Sequence, residues 1–175
     1  MRIRWIVVAA VIAFIGGQGP ARADDAAVKK ELTALFARFA AAFKKKDAKT
    51  ALSFFAPEYT AKEGNRTVNR AQVETQTTEA MQRLKSIDTL TWDIQRLTVK
   101  GNQATTEALE TLVATVVDVA GNMGPKGRIH KLKDVERTRD VFVKTPSGWL
   151  LKHSETLSAR ITVDGRSLNP PPTSR

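Results

Sequence analysis

The chain has 175 residues, no cysteine, two histidines and a formal net charge of +10 at pH 7. This composition excludes disulfides and the usual ligand sets of transition-metal sites, and no phosphate loop or dinucleotide fingerprint occurs, so we expect neither a metal nor a cofactor. The basic residues are scattered and lack the interleaved aromatic residues of single-strand binders, so nucleic-acid binding is not expected.

The first 23 residues have the pattern of a signal peptide. Arg2 and Arg4 precede an apolar run, Trp5 to Ile15, and Ala21-Arg22-Ala23 supplies small residues at a cleavage site. The run is shorter than the roughly 20 residues that a membrane-spanning helix needs. We therefore expect cleavage after Ala23 and a periplasmic or secreted protein that keeps no membrane anchor.

The remaining chain has the length of one domain. Three arginines leave with the signal peptide, so 152 residues with a charge of +7 remain. Such a chain can bury a core without disulfides. We expect one domain over residues 24–165 and a disordered tail over residues 166–175, where three prolines are consecutive.

The N-terminal half predicts helices. The first combines favourable acidic residues at its start with a lysine run at its end. Its apolar positions recur at helical spacing: Val28, Leu32, Leu35, Phe36, Phe39 and Phe43. Asp47 is expected to cap a short second helix that carries Phe54 and Phe55 and that Pro57 stops.

A small hairpin and a third helix follow. Gly64-Asn65 is a turn signal between two short extended segments. Asn69 and Gln72 have the three-residue spacing of a capping box, which favours a helix start.

From Ile87 the apolar period changes from 3.6 to 2. Four long strands are predicted, and they form an antiparallel meander: from Ile87, Thr105 to Val119, Ile129 to Lys144 and Trp149 to Val163. The fold class is therefore α+β, with three N-terminal helices packed on a strongly curved antiparallel sheet that forms a cone-shaped barrel with a cavity.

The last hairpin contains the candidate catalytic pair. A four-residue turn, Thr145 to Gly148, pairs Phe142 with Leu151, Asp140 with His153 and Thr138 with Glu155. A carboxylate beside an imidazole makes a general base near neutral pH. The alternatives are a polar pair that only satisfies itself and a histidine at the exposed end of the sheet.

Two segments resemble the nuclear transport factor 2-like superfamily, which includes SnoaL-like polyketide cyclases and ketosteroid isomerases. Lys46-Asp47 with Leu52 to Tyr59 is similar to its D-x-x-x-L-x-x-L-F-x-x-D segment. Asp140 to His153 is similar to its D-V-W-V-x-x-x-G-W-x-L-x-H ending. The resemblance covers about Val28 to Val163 and implies a cone-shaped barrel with a pocket, often in a homodimer formed through the sheet.

The chain also departs from that family. Many relatives carry an acid after the second helix, whereas this chain has Glu58 beside Tyr59, which shifts the carboxylate. We find neither the Asp-Arg-Asp arrangement of the epoxide hydrolases nor the tyrosine and two acids of the isomerases. The resemblance therefore implies a fold without an activity.

The candidate site has two parts. Asp140 and His153 are the candidate catalytic residues. The candidate ligand-binding residues are Tyr59, Trp92, Phe142, Trp149, Leu151 and Glu155. Glu107 and Glu110 have opposite parity on one strand, so only one of them can enter a pocket.

Three functions remain open from the sequence. The first is an exported domain that binds a small apolar ligand or a partner without catalysis. The second is a cofactor-independent isomerase, dehydratase or cyclase that uses Asp140 and His153. The third is an accessory subunit, which would present a broad apolar patch on the convex face of the sheet.

Overall fold

The computed structural model describes residues 23–121 and 123–168. Three helices and seven strands occur in this part of the chain, and α3 follows the first two strands. In chain order they are α1 (Ala23–Lys44), α2 (Ala48–Leu52), β1 (Phe55–Glu63), β2 (Arg66–Asn69), α3 (Arg70–Arg83), β3 (Leu84–Lys100), β4 (Gln103–Val117), β5 (Ile129–Thr145), β6 (Gly148–Val163) and β7 (Arg166–Ser167).

Helix α1 buries one side of the predicted apolar stripe. Leu32 and Leu35 are buried, and they belong to a core cluster with Ile94, Phe142 and Trp149 of the sheet. The helix ends at Lys44, where a cation suits the negative end of the helix dipole.

Helix α2 is shorter than predicted. Asp47 caps it as expected, because its side chain accepts a hydrogen bond from the backbone N–H of Thr50 at 3.0 Å. The helix ends at Leu52, however, and Phe55 begins strand β1. Pro57 therefore lies inside a strand, in a stretch where the pairing of β1 with β6 is irregular, which suits a residue without an N–H donor.

The hairpin of β1 and β2 and the capping box of α3 are confirmed. The two strands pair antiparallel up to Glu63 and Arg66. The Asn69 side chain accepts from the backbone N–H of Gln72, and the Gln72 side chain accepts from that of Asn69, each at 3.0 Å. These two bonds satisfy N–H groups that a helix start leaves without partners.

The four long strands form the predicted antiparallel meander, but the whole sheet is mixed and open. The strand order is β2-β1-β6-β5-β4-β3, and β7 pairs with β6. Strand β1 lies parallel to β6. The predicted α+β class is confirmed, but the predicted antiparallel sheet is instead mixed and unclosed, because the N-terminal hairpin adds to the free edge of β6 and no pairing joins β2 to β3.

The three helices do not pack on the sheet to the same extent. Helix α1 lies on the concave face through the cluster around Leu32 and Leu35. Met81 of α3 instead packs with Ala42 of α1 and Ala51 of α2 in a separate cluster. Helix α1 therefore packs on the sheet as predicted, whereas α3 packs both on the other helices and on strand β1 at the edge of the sheet.

The predicted aromatic core is only partly buried. Trp149 is buried as expected, whereas Phe36, Phe39, Phe43, Phe54 and Trp92 keep intermediate exposure. The rings contact one another, for example Phe36 with Trp92 at 5.3 Å between centroids. Partial exposure of mutually packed rings indicates an incompletely filled core.

Two predicted segments fall largely outside the described residues. The predicted signal peptide ends at Ala23, where α1 begins, and residues 1–22 are not described. Of the predicted tail, Arg166–Ser167 form β7, and Leu168 donates its backbone N–H to Ile161 at 2.9 Å. No helix within the described ranges is both long enough and apolar enough to span a bilayer.

We predict that Leu32→Ala lowers the free energy of unfolding by about 2–5 kcal/mol, because it removes a fully buried side chain between α1 and the sheet. Urea denaturation followed by circular dichroism measures this change. Leu168→Ala is the control, since Leu168 is exposed and its loss should cost less than about 0.5 kcal/mol. Equal costs for the two variants would contradict the packing described for α1.

Candidate functional site

A cavity of about 180 Å³ lies between α1 and the concave face of the sheet. Most of its wall is aromatic or aliphatic, and its polar lining includes two carboxyl groups. The lining residues are Leu32, Leu35, Phe36, Phe39, Phe54, Phe55, Tyr59, Trp92, Glu110, Asp140, Phe142, Leu151 and Ser154.

Asp140 is the buried carboxyl group at the β5–β6 side of the cavity. It accepts hydrogen bonds from the hydroxyls of Thr138 at 2.8 Å and Ser154 at 2.5 Å. The Trp92 side chain is a third donor. Burial raises the pKa of Asp140 above its ordinary value, and the three hydrogen bonds act against that rise by stabilising the charged form.

The predicted pairing of Asp140 with His153 was wrong. Phe142 pairs with Leu151 as expected, but the register then shifts, and Val141 pairs with His153. The extra residue, Lys152, is a β-bulge that changes which side chains share a face. Asp140 is therefore opposite Ser154.

His153 lies on the other face of the sheet from the cavity. Side chains alternate along a strand, so the residue next to the cavity-lining Ser154 points away from it. The Nδ1 atom of His153 lies 2.8 Å from the hydroxyl of Thr60 on β1. The two predicted catalytic residues are thus separated by the sheet.

Two predicted ligand-binding residues also lie outside the cavity lining. Glu155 pairs with Arg139 across the strands, where Thr138 had been expected, and forms a 2.7 Å ion pair with Lys62. Trp149 is buried in the core, and its indole N–H donates to Glu31 at 2.6 Å. The first position results from the same bulge, and the second from packing against the middle of α1.

The other predicted residues come together. Tyr59, Trp92, Phe142 and Leu151 line the cavity beside Asp140. They come from β1, β3, β5 and β6, whose inward positions meet under α1. Their role in binding a ligand stays a prediction.

Sequence reasoning did not assign Glu110 and Ser154 to the site. Glu110 lines the cavity from β4, whereas Glu107 lies on the outer face beside Arg137 and Arg139. The opposite parity of the two glutamates was the available signal, but it could not tell which one faces inward. Ser154 could not be found without the bulge.

Glu110 belongs to a group of four inward-facing acids, which we call the acidic row: Glu110, Asp134, Glu136 and Asp140. Glu110 is directly opposite Glu136 in the pairing of β4 with β5. No member of the row is within 4.0 Å of a basic group in the described residues, and Asp134 Oδ1 is buried without a hydrogen-bond partner. The row is not grouped in a way that would hold a metal ion.

Burial dominates the protonation of the acidic row. Burial first, and then the nearby charges of Asp140 and Asp134, together raise the pKa of Glu110 to about 8. Burial and the charge of Asp134 likewise raise the pKa of Glu136, which can then share a proton with Asp134. Glu110 is therefore mostly protonated at pH 7.

On the outer face of the sheet the pKa values of the acids are lowered instead of raised. Glu107 lies 3.0 Å from both Arg137 and Arg139, and hydrogen bonds from these arginines hold its pKa below the ordinary value. Glu155 completes this group through Lys62 and Arg139. The sheet thus places paired acids outside and unpaired acids inside.

We predict that stability falls as pH rises from about 5 to 9. Glu110 binds its proton more tightly in the folded chain than in the unfolded chain, so folding loses this contribution as pH passes from 4.5 through about 8. One such group gives a slope of at most about 1.4 kcal/mol per pH unit. Urea denaturation at pH 5, 7 and 9 should show a shallower fall for Glu110→Gln.

Glu107→Gln is the matched control on the same strand. Its depressed pKa places its titration below this window, so it should lower stability at all three pH values and leave the slope unchanged. Identical slopes for the wild type and Glu110→Gln would contradict the assignment of a buried proton to Glu110.

Solved structures share this architecture, whereas no protein-family model and no curated protein sequence matches the chain. A candidate dehydratase of the nuclear transport factor 2-like family from Streptomyces avermitilis is 18% identical, with 75% of this chain and 96% of that one covered and a TM-score of 0.57. A conserved protein from Planctomyces limnophilus is 14% identical, covers 79% and 98%, and gives 0.62.

A third structure widens the range of functions found on the same architecture. A ketosteroid isomerase-like protein from Erwinia carotovora atroseptica is 10% identical, with 81% and 96% of the chains covered and a TM-score of 0.54. At these identities the likeness concerns the fold and carries no activity with it. The chain has the nuclear transport factor 2-like fold.

Proposed function

We propose that this protein binds a small, largely apolar molecule in the cavity under α1, without catalysis. The observation that carries the proposal is a cavity, partly open to solvent, whose wall is mostly aromatic and aliphatic, with a few convergent polar groups. Apolar walls supply affinity and a few polar groups orient the ligand, which is the usual construction of a small-molecule site.

The cavity volume limits the ligand. At about 180 Å³ it is close to the roughly 150 Å³ cavity that holds benzene and well below the roughly 300–1,000 Å³ of pockets for larger ligands. The part of the ligand inside the cavity therefore has about one ring, and a four-ring steroid would protrude from it.

The geometry does not favour the enzyme that the sequence suggested. Its base and its orienting acid would have been His153 and Asp140, and the bulge at Lys152 separates them. Asp140 also accepts hydrogen bonds from three donors, which take three of the roughly four acceptor positions of its carboxylate. Two structural neighbours are named as a dehydratase and as ketosteroid isomerase-like, but this chain does not form the Asp140–His153 pair that was predicted for such reactions.

We also propose that the protein is exported to the periplasm or secreted, and that it forms a homodimer through its sheet. The support for export is the signal-peptide pattern over residues 1–23. The support for the dimer is the family resemblance, and sedimentation of the purified mature protein at a mass of one chain would oppose it.

We predict that single-ring neutral molecules such as toluene and benzyl alcohol bind with a Kd on the order of 0.1–1 mM, as expected for seven or eight heavy atoms in an apolar site. Chemical shifts in nitrogen–proton correlation spectra measure the binding. Leu151→Phe fills the cavity and should weaken binding about tenfold or more.

Leu150→Phe is the matched control, since Leu150 precedes Leu151 on β6 and does not line the cavity. It should leave the Kd within about twofold of the wild type. Absence of binding to the wild type, or equal effects of the two variants, would refute the proposed site.

We predict that the mature protein from its native host begins at Asp24. Intact-mass measurement should give the mass of the chain without residues 1–23. A mass that includes Met1 to Ala23 would refute the proposed export route.

A further inference from the structure

One carboxyl group in the cavity has no bonding partner among the described residues. Glu110 lines the cavity from β4 and makes neither a hydrogen bond nor an ion pair with the described residues. Asp140, by contrast, is occupied by Thr138, Ser154 and Trp92. A ligand in the cavity therefore meets Glu110 as its free polar partner.

The surroundings of Glu110 are acidic on one side and aromatic or apolar on the others. Glu136 is directly opposite on β5, with Asp134 and Asp140 on the same face of that strand. Trp92 is directly opposite on β3, and α1 presents Leu35, Phe36 and Phe39 to the cavity. None of the lining residues is Lys, Arg or His.

An anionic ligand is disfavoured, because its charge would be taken out of water and no basic side chain lines the cavity to pair with it. A cation in the cavity is stabilised by two interactions. It pairs with the carboxylate of Glu110, and it contacts aromatic faces, which attract cations through their quadrupoles. The Arg38 guanidinium already lies 5.6 Å from the centroid of Phe54, a ring of the cavity wall.

We propose that the ligand of this cavity is a small organic monocation, an amine or ammonium compound with one apolar group, held by Glu110 and the aromatic wall around Trp92. This inference rests on the proposed function, because it names the chemical class of the molecule that the cavity binds. The cationic head lies against Glu110, and the apolar group fills the remaining space of the roughly 180 Å³ cavity.

Binding of a cation has a proton signature. The empty cavity keeps Glu110 mostly protonated at pH 7, since its pKa is about 8. An ammonium group beside the carboxyl group favours the charged form, so Glu110 releases its proton when the cation enters. A neutral ligand that accepts a hydrogen bond from the protonated carboxyl group releases none.

Three probes of nearly equal size test the inference: benzylamine, benzyl alcohol and benzoate. Titration calorimetry at pH 7, in two buffers of different ionisation enthalpy, gives the Kd and the number of protons released. We expect benzylamine to bind at least about tenfold more tightly than benzyl alcohol, with release of close to one proton, and benzoate not to bind.

Two matched variants locate the effect. Glu110→Gln should remove both the preference for benzylamine and the proton release while benzyl alcohol still binds. Asp93→Asn removes one exposed negative charge next to Trp92 on β3 and should preserve the preference. A preference that persists in Glu110→Gln would overturn the assignment of the cationic head to Glu110.

The outcomes separate the two proposals. Equal binding of benzylamine and benzyl alcohol to the wild type, weakened by Leu151→Phe, would overturn the monocation and leave the cavity as a binding site. Failure of all three probes to bind would overturn the proposed function itself. The comparison of probes on the wild type needs no variant, so it decides the question even if Glu110→Gln does not fold.

Discussion

Two β-bulges interrupt the pairing of β5 with β6, and the first of them decides which side chains of β6 face the cavity. The first, at Lys152, places Ser154 rather than His153 opposite Asp140. The second, between the pairs of Arg137 and Thr138, shifts the register by one further residue. Because side chains alternate with a period of two, each extra residue moves all later positions of β6 to the other face. Together the two bulges keep the apolar residues at both ends of β6 on the inward face of the sheet.

The two faces of the sheet also separate its charges. Outer acids such as Glu107 are held by arginines, and their carboxylates are ionised. The acidic row faces the interior, where taking a charge out of water without a partner is costly. The chain meets that cost by protonation at Glu110 and Glu136, whose pKa values burial raises, and by hydrogen bonds at Asp140. Such an interior favours cations and neutral molecules over anions.

Much of the fold could be predicted because it depends on local rules. The stripe of α1, the Asn69–Gln72 capping box and the four long strands follow from periodicity and capping chemistry. The parallel contact of β1 with β6 could not be predicted, because it is a tertiary pairing at a strand edge without its own sequence pattern. The positions of His153, Ser154 and Glu155 had the same difficulty, since no residue type marks the bulge at Lys152. Tyr59, Trp92 and Phe142 were found because large inward residues need no exact register.

Helix α1 contributes both to the filled core and to the wall of the cavity. Its residues Leu32, Leu35, Phe36 and Phe39 all line the cavity, but the two leucines are also buried against the sheet, whereas the two rings keep intermediate exposure. Phe36 stacks on Trp92, and Phe39 contacts Phe54, so each ring is supported by another ring around the cavity. Rings supported in this way keep their positions without a ligand, which reduces the ordering that binding requires. The side chains that line the cavity lack van der Waals contacts on that side, and a ligand can supply them.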